Sequence, residues 1–271
     1  MMTNEFPQVL TIAGSDSDGS AGMQADLHTF FIRKTYGMSV LVAAVAGNSY
    51  GIHAAETLPL AFIDQQFEAL ADDFKIKASK TGMLSDAALI GTVVKSYQTY
   101  DFGPLVVDPV ITTKHGAQLL ENEAFKALKQ QLLPLATVAT PNFFEAQLLT
   151  GRTIQSEAEQ ASAARDIQAL GVKNVIVKGW HHQDDQQEVA DYVLLADGSE
   201  FWLRHPYFDT THINGTGDTL SATIAAEIAK GQSVANAIRT AHDVTTAAIA
   251  SEIAVGHQFG PINHWAAQSV N

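Results

Sequence analysis

Residues 214–221 combine the groups that phosphoryl transfer to an alcohol requires. They read Asn-Gly-Thr-Gly-Asp-Thr-Leu-Ser and lead into an Ala- and Ile-rich stretch, 222–231, which has high helix propensity and ends at a glycine. The amides in the first turn of such a helix lack internal partners and can hold an anion. Asp218 falls on that turn, where it can take a proton from a hydroxyl lying against the same loop. An anion cradle beside a base suits phosphoryl transfer.

The same spacing also fits a purely structural turn. A Gly-x-Gly-Asp sequence is compatible with a tight turn and a helix-capping aspartate. Taken alone, the motif therefore favours the structural interpretation, and motifs elsewhere in the chain are needed to support the catalytic one.

The composition is that of a folded, acidic protein. Of the 271 residues, 46% are hydrophobic and 17% are charged, which argues against disorder. The formal net charge is −13 and no basic cluster is present, so we expect no nucleic-acid surface. The absence of cysteine excludes disulfides, thiol catalysis and thiolate metal sites. A phosphate binder of this charge depends on local donors or metal ions.

The first residues do not resemble a targeting segment. They lack the basic start and apolar core of a signal peptide, and no run of eighteen apolar residues follows. We therefore expect a cytoplasmic protein that does not contact a membrane.

The first predicted strand ends in a loop suited to ligand binding. Residues 8–13 form an apolar run, and the small polar loop that follows includes Gly14 and Ser15. A strand, a glycine-containing loop and a helix in this order are typical of sites at the carboxyl ends of parallel strands. The glycine spacing matches neither a Walker loop nor a dinucleotide fingerprint. Asp26, early in the helix, is compatible with a capping role or with a ligand-facing one.

Three further strand ends carry polar groups. An apolar strand ends at Asp108, where a carboxylate can hold a magnesium-bound water. Asn142 follows the next strand and Glu145 lies three residues on, a spacing typical of a capping box, although Glu145 is also placed to face the crevice. Lys178 ends another strand and can reach a phosphate as a point charge.

Two more segments complete the predicted sheet before its last hairpin. Residues 38–46 are a buried strand followed by a turn at 47–51. Residues 78–84 are another strand end with a glycine exit, and Met83 in it is most simply a core residue.

The order of elements predicts the fold class. Strands at 191–195 and 199–204 flank Ala-Asp-Gly, which predicts a hairpin, and 181–185 resembles an exposed turn. The other strands alternate with helical segments and lack a period of two. We therefore predict an α/β fold with a mostly parallel central sheet, helices on both faces and a small antiparallel edge. No linker or repeat interrupts it, so one domain over 1–271 is expected.

Six motifs taken together resemble the ribokinase superfamily, in its branch of vitamin kinases. That branch comprises pyridoxal kinases and hydroxymethylpyrimidine (phosphate) kinases. The motifs are Ala-Gly-Ser-Asp-Ser at 13–17 with Ala-Gly-Met-Gln-Ala-Asp at 21–26, Thr-Gly-Met-Leu at 81–84, Val-Asp-Pro-Val at 107–110, Thr-Pro-Asn at 140–142 with Glu-Ala at 145–146, Lys-Gly at 178–179, and Gly-Thr-Gly-Asp at 215–218. One such motif is weak, whereas six in order over almost the whole chain are specific.

The resemblance implies a ribokinase-like fold and an ATP- and magnesium-dependent reaction. The γ-phosphate would pass to a hydroxymethyl group on a six-membered nitrogen heterocycle. In this resemblance Asp218 matches the catalytic base, and the amides of Gly215, Thr216 and Gly217 match the anion hole. Family members are commonly homodimers, so a homodimer is expected here.

The resemblance also divides the remaining matched positions by ligand. Asp108 and Glu145 match the residues that organise Mg²⁺ and its waters. Lys178, Asn142 and Asp108 match the nucleotide side of the site. The positions implied on the substrate side are Gly14, Ser15, Asp26, Gly47 and Met83.

Two departures from the branch bear on chemistry and substrate. The base position is usually cysteine in this branch, whereas Asp218 is ionised at neutral pH without help. The pyrimidine kinases usually carry Ala-Gln-Asn after the second strand, where the glutamine reads the aminopyrimidine. Gly47 stands at that glutamine position and offers no amide. Phe143 and Phe144 are also closer to the Leu-Phe of pyridoxal kinases.

These departures predict pyridoxal, pyridoxine or pyridoxamine as substrate, phosphorylated at the 5′-hydroxymethyl group. The alternative is a hydroxymethylpyrimidine (phosphate) kinase of thiamin synthesis. A non-catalytic vitamer sensor on a kinase scaffold is a third interpretation, against which the intact Gly-Thr-Gly-Asp loop argues. A sugar or nucleoside kinase is disfavoured by the motifs at 14–26 and 81–84.

Overall fold

The computed structural model describes residues 5–111, 120–182 and 185–270. Its strands are β1 (Gln8–Asp16), β2 (Tyr36–Asn48), β3 (Gly51–Thr57), β4 (Ile76–Thr81), β5 (Leu105–Val107), β6 (Val138–Ala139), β7 (Asn174–His182), β8 (Asp185–Leu194) and β9 (Glu200–Pro206). Its α-helices are α1 (Gly22–Ile32), α2 (Leu60–Asp73), α3 (Ala87–Thr99), α4 (Asn122–Ala127), α5 (Phe143–Thr150), α6 (Glu157–Gln168), α7 (Thr216–Ala229), α8 (Val234–Ile249) and α9 (His264–Ala267).

The described strands form one sheet in the order β3-β2-β1-β4-β5-β6-β7-β8-β9. From β2 to β7 every neighbouring pair is parallel. The predicted hairpin is confirmed, because β8 and β9 pair antiparallel with Leu194 opposite Glu200. The turn predicted at 181–185 lies partly outside the described residues. The mostly parallel sheet with an antiparallel edge is confirmed.

A second antiparallel edge was not predicted. Strand β2 continues to Asn48, which pairs with Gly51 as the first residue of β3, so the predicted turn at 47–51 is shorter than expected. All seven residues of β3 are exposed. Its sequence carries no apolar run because neither face is buried, and the strand therefore leaves no hydrophobic signal.

Helices cover both faces of the sheet, as predicted. The three residues of β5 are fully buried and alternate between the faces. Leu105 and Val107 pack into the core that includes α2, α3 and α6, whereas Val106 packs with Ile224 of α7 and Ile238 of α8. Burial on both faces explains why these strands are continuous apolar runs. No α-helix in the described ranges is long and apolar enough to cross a bilayer.

Glycines at the starts of α1 and α7 allow close backbone approach to β1 and to the loop that follows it. Gly22 begins α1 with φ 58°, and Gly215 precedes α7 with φ 84°. A Cβ at Gly22 would lie 2.7 Å from the Gly14 carbonyl oxygen, and one at Gly215 would lie 2.4 Å from the Ser20 carbonyl oxygen. Since both neighbours are backbone atoms, only glycine fits. The loop after β1 therefore lies directly against the start of α7.

Candidate functional site

A cavity of about 650 Å³ opens along the carboxyl ends of the parallel strands. This is the edge at which open α/β sheets bind ligands. Most of the predicted site residues meet in its wall, although their elements are far apart in the chain. Those that line it are Gly14, Ser15, Met83, Asp108, Asn142, Glu145, Lys178, Gly215, Thr216, Gly217 and Asp218.

Asp218 lies in the first turn of α7 with its two carboxylate oxygens held separately. The N–H of Gly22 donates to Oδ2 at 3.1 Å, and the ammonium of Lys80 donates to Oδ1 at 2.9 Å. The side chain keeps 17% of its surface exposed towards the cavity. Each carboxylate oxygen can accept more than one hydrogen bond, so Asp218 can still accept a proton or hydrogen bond from a bound hydroxyl.

Lys80 lies next to Asp218, and the sequence motifs did not single it out. It lies on β4, is fully buried, and also donates to Asp26 Oδ1 at 2.6 Å. Burial alone would lower the pKa of Lys80, but the carboxylates of Asp218, Asp26 and Asp108 outweigh it and raise the pKa. Lys80 is therefore an ammonium. A lysine in a central strand that is buried on both faces is the signal that identifies such a pair.

Asp26 occupies neither of the positions that the sequence suggested. It does not cap α1 and does not line the cavity; its carboxylate is fully buried, with Lys80 on Oδ1 and the Thr11 hydroxyl donating to Oδ2 at 2.6 Å. Burial raises the pKa of the Asp26 carboxyl, and Lys80 and Thr11 oppose that rise. The expectation of direct substrate contact is corrected, because the carboxylate is hydrogen-bonded to Thr11 of β1 and Lys80 of β4 and does not line the cavity.

Gly47 also lies outside the cavity wall. It is close to the end of β2, where its N–H donates to the Ser17 hydroxyl at 2.9 Å and its carbonyl accepts from the same hydroxyl at 2.8 Å. A direct contact between Gly47 and a substrate therefore stays a prediction.

The first turn of α7 includes two backbone amides, at Gly217 and Asp218, that donate to no partner in the described part of the chain. Thr216 N–H already donates to the Ile213 carbonyl at 3.3 Å. Within the described residues, no hydrogen bond uses the N–H of Gly217 or of Asp218. These two amides carry the positive end of the helix dipole and can bind an anion. The Thr216 amide is the member of the predicted anion hole that is already engaged.

Asp108, Lys178 and Thr140 form a second charged group beside that helix start. The Lys178 ammonium donates to Asp108 Oδ1 at 3.1 Å and to the Thr140 carbonyl at 2.6 Å, and the Thr140 hydroxyl also donates to Asp108 Oδ1. A Cβ at Gly217 would lie 3.2 Å from Asp108 Oδ2 and 3.4 Å from Lys178 Nζ. An ammonium has three donors, so Lys178 keeps one for a ligand.

Glu145 combines the capping role with a place in the cavity wall. Its Oε2 accepts from Asn142 N–H at 2.9 Å, and the Asn142 side chain caps α5 in return, which confirms the capping box. Its Oε1 accepts from Ile111 N–H at 2.9 Å. Burial, with the nearby Asp108 charge, raises the pKa of Glu145 to about 7, although Lys178 lowers it.

The donor set fits a magnesium ion that arrives with phosphates. No three His, Asp or Glu side chains cluster in the described part of the chain, so a cage built by protein alone is absent there. Mg²⁺ prefers one or two carboxylates together with water and phosphate oxygens. Asp108 supplies an oxygen, Oδ2, that no hydrogen bond of the described residues uses. Asp108, with Glu145 nearby, meets that requirement.

The far end of the cavity was not identified from the sequence. It includes Asp191 of β8, His205 of β9 and His242 of α8. His242 Nδ1 lies 3.5 Å from Asp191 Oδ2. Burial lowers the pKa of His242, but the Asp191 carboxylate outweighs it and raises the pKa. Only the sheet order brings these elements together, so no local sequence pattern could have indicated the pair.

The sheet order and the helix start carrying Asp218 define a ribokinase-like fold with a kinase-type site. Residues 16–263 match the phosphomethylpyrimidine kinase family. The chain belongs to this family.

The relatives divide between two substrate classes. A hydroxymethylpyrimidine/phosphomethylpyrimidine kinase of Haemophilus influenzae is 48% identical over 96% of this chain and 97% of its own length. One of Bacillus subtilis with the same name is 41% identical, over 96% and 95%. The crystal structure of an ADP complex of Bacillus subtilis pyridoxal kinase superposes with a TM-score of 0.89 at 34% identity, over 98% of this chain and all of that one.

These comparisons support the pyrimidine alternative better than the B6 vitamers. The higher identities belong to the proteins named for pyrimidine substrates, whereas the pyridoxal kinase is similar in structure at lower identity. Both groups are kinases, so membership of the vitamin-kinase branch is confirmed.

Proposed function

We propose that this chain is an ATP-dependent kinase of hydroxymethylpyrimidine and, in a second reaction, of phosphomethylpyrimidine. The names of the relatives at 41–48% identity support these acceptors. The observation that carries the chemistry is the Asp218 carboxylate, which faces the cavity from a helix start whose amides at Gly217 and Asp218 are free within the described residues. ADP in the related pyridoxal kinase supports ATP as the phosphoryl donor.

In the first reaction Asp218 takes the proton of the acceptor hydroxyl. The hydroxyl oxygen forms a bond to the γ-phosphorus as the bond from that phosphorus to the β,γ-bridging oxygen breaks, and ADP leaves. Lys80 and Gly22 hold the Asp218 carboxylate in one orientation, so it is already placed to accept the proton when the acceptor binds.

The phosphoryl group needs positive partners in so acidic a protein. The amides of Gly217 and Asp218 are aimed at the oxygens of the group in transfer, and Lys178 adds its remaining donor. Mg²⁺, when bound with ATP, would offset phosphate charge, held directly or through water by Asp108 and Glu145. The cavity of about 650 Å³ extends to Asp191 and His242, and its volume is within the range of small-molecule sites, so the rest of the nucleotide would lie along this wall.

A comparison of acceptors tests the proposal. With saturating magnesium and ATP, ADP release is measured for hydroxymethylpyrimidine, its monophosphate and pyridoxal. We expect kcat/KM for hydroxymethylpyrimidine to exceed that for pyridoxal by about tenfold or more, because the relatives with the higher identities are named for pyrimidine substrates. A preference for pyridoxal would reverse the assignment, and no ADP release with any acceptor would favour the non-catalytic binding protein.

Pyridoxal phosphorylation is the second candidate, and Gly47 is the observation that favours it. Gly47 has no side chain, and its N–H and its carbonyl are both hydrogen-bonded to the Ser17 hydroxyl. A pyrimidine amino group therefore finds no amide from this residue.

Gly47→Gln is expected to raise the ratio of pyrimidine to pyridoxal kcat/KM by about tenfold, because it adds the missing amide. Its Cβ would lie 3.1 Å from the Gly51 carbonyl oxygen, so the β2–β3 turn must yield by a few tenths of an ångström. Gly47→Ala imposes the same Cβ without the amide and is the matched control. An unchanged ratio in Gly47→Gln would show that this position does not select the ring.

We propose further that the chain is a single kinase domain that assembles as a homodimer. The edge strand β3 is exposed along its whole length, and Ile52 on it is 68% exposed. An exposed edge with apolar side chains is a template for pairing with another chain. Light scattering coupled to gel filtration should give twice the mass of one chain; the mass of one chain would refute the dimer.

A further inference from the structure

The buried pair of Lys80 and Asp26 touches the candidate base but does not reach the cavity. Lys80 is fully buried on β4, Asp26 is fully buried on α1, and Asp218 lies between them and the cavity. Lys80 bridges both carboxylates, at 2.6 Å to Asp26 and 2.9 Å to Asp218. Burying charged side chains costs desolvation free energy, so this pair favours a role beyond packing.

The net charge of Lys80, Asp26 and Asp218 indicates what the Asp26 carboxylate contributes. One ammonium beside Asp218 alone would neutralise the base and make it a poor proton acceptor. Both oxygens of Asp26 accept hydrogen bonds, from Lys80 and from Thr11, as those of a carboxylate do. With that carboxylate on its other side, Lys80 is already balanced, and the three groups carry one net negative charge. That charge resides on Asp218, the one member of the three with exposed surface in the cavity wall.

We infer that Lys80 and Asp26 are positioning residues that orient Asp218 and set its strength as a base. Lys80 fixes Oδ1 while Gly22 fixes Oδ2, so the carboxylate has one orientation. Asp26 in turn fixes Lys80, and the Thr11 hydroxyl fixes Asp26. The inference rests on the proposed function, in which Asp218 accepts the hydroxyl proton.

Other charged groups near the start of α7 act on Asp218 equally in all variants below. Those on the elements packed around it are Asp16 at the end of β1, His28 on α1, Asp108 after β5, Lys178 on β7, His242 on α8 and His264 on α9. Because none of them changes, differences between variants report Lys80 and Asp26.

Two substitutions should act in opposite directions on the acid limb of the kcat–pH profile. Lys80→Met removes the ammonium, so the limb moves up by about one pH unit and kcat at neutral pH falls about tenfold to a hundredfold. In Asp26→Asn the Lys80 ammonium faces Asp218 alone, so the limb moves down and kcat falls several-fold, because Asp218 is then a weaker base. KM for ATP stays within about twofold in both, since neither residue lines the cavity.

The double variant Lys80→Met/Asp26→Asn should match Lys80→Met. Without the ammonium, burial leaves Asp26 protonated, and its replacement by Asn then changes no charge. The double variant also lacks the buried carboxyl group that Lys80→Met leaves without its partner, so it remains measurable if Lys80→Met is unstable. Additive shifts in the double variant would overturn the inference.

Glu227→Gln is the matched structural control. Glu227 forms a buried ion pair with Arg33 at 2.7 Å, between the same helices α7 and α1 but away from Asp218. It should lower the melting temperature without moving the acid limb. If it moves the limb as Lys80→Met does, or if Lys80→Met leaves the limb in place, the positioning role is wrong.

A carboxyl ¹³C titration separates this inference from the proposed function. The Asp218 resonance, assigned by its loss in Asp218→Asn, should respond to pH differently in Lys80→Met and in the native protein, because the ammonium at 2.9 Å from Oδ1 is removed. That difference supports the positioning role even if neither pyrimidine proves to be the acceptor. Coincident titration curves would overturn it even if the kinase activity is found.

Discussion

Asp218→Asn is expected to lose phosphorylation of the hydroxymethyl acceptor by about 10²–10⁴-fold in kcat and to keep phosphorylation of the phosphomethyl acceptor. An alcohol carries its proton at neutral pH and must lose it as it attacks. A phosphate monoester has its second pKa near 6, so at pH 8 its attacking oxygen carries no proton and needs no base. The variant therefore separates the two proposed reactions.

The charge of Asp218 adds a second difference between the acceptors. A carboxylate in the cavity wall repels a phosphate dianion, and Asn removes that repulsion. We expect KM for the phosphomethyl acceptor to fall several-fold in Asp218→Asn, whereas the nucleotide affinity stays unchanged because Lys178 and Asp108 are untouched.

The measurements are ADP release with each acceptor at pH 8 and nucleotide binding by calorimetry. Asp72→Asn removes the same charge from an exposed position on α2 and should alter neither reaction. Full turnover of the alcohol in Asp218→Asn would remove Asp218 as the base. Equal losses with both acceptors would mean that Asp218 does more than accept a proton.

The parts of this fold that were predictable are those with a local physical signature. Strands buried on both faces are apolar runs, as at Leu105–Val107, and polar residues just after such runs gather at one sheet edge. Asp108 and Lys178 were therefore each predicted at the ligand-binding edge of the sheet, from their own strands. The glycines around Asp218 indicated a helix start because few other residues tolerate that backbone.

The parts that were not predicted depend on which elements become neighbours. The position of Asp26 early in a helix does not tell which strand it faces, and only the packing of α1 on β4 reveals Lys80 as its partner. The pairing of Asp191 with His242 likewise needs the order of the strands. Strand β3 left no signal because it buries nothing.

Gly215→Ala is the second change with a large expected effect. The added Cβ would meet the Ser20 carbonyl oxygen at 2.4 Å, and φ is 84°, a conformation that costs an L-residue about 1–2 kcal/mol. Since backbone faces backbone, either the loop after β1 or the start of α7 must move. That start carries Asp218, and a shift of about 1 Å in a reacting group can cost about a hundredfold in rate. We expect kcat to fall by at least that factor.

Gly231→Ala separates this effect from backbone strain. Gly231 follows the other end of the same helix with φ 85°, and apart from its chain neighbours no atom in the described ranges lies within 4 Å of the position its Cβ would take. Gly231→Ala therefore has the backbone strain without the steric clash. The melting temperature should decrease in both variants, whereas turnover should fall only in Gly215→Ala. Equal turnover in the two variants would mean that the close approach of Gly215 to the Ser20 backbone does not position Asp218. A loss confined to Gly215→Ala ties the orientation of the candidate base to a glycine whose place no side chain can take, because a Cβ there would lie 2.4 Å from the Ser20 carbonyl oxygen.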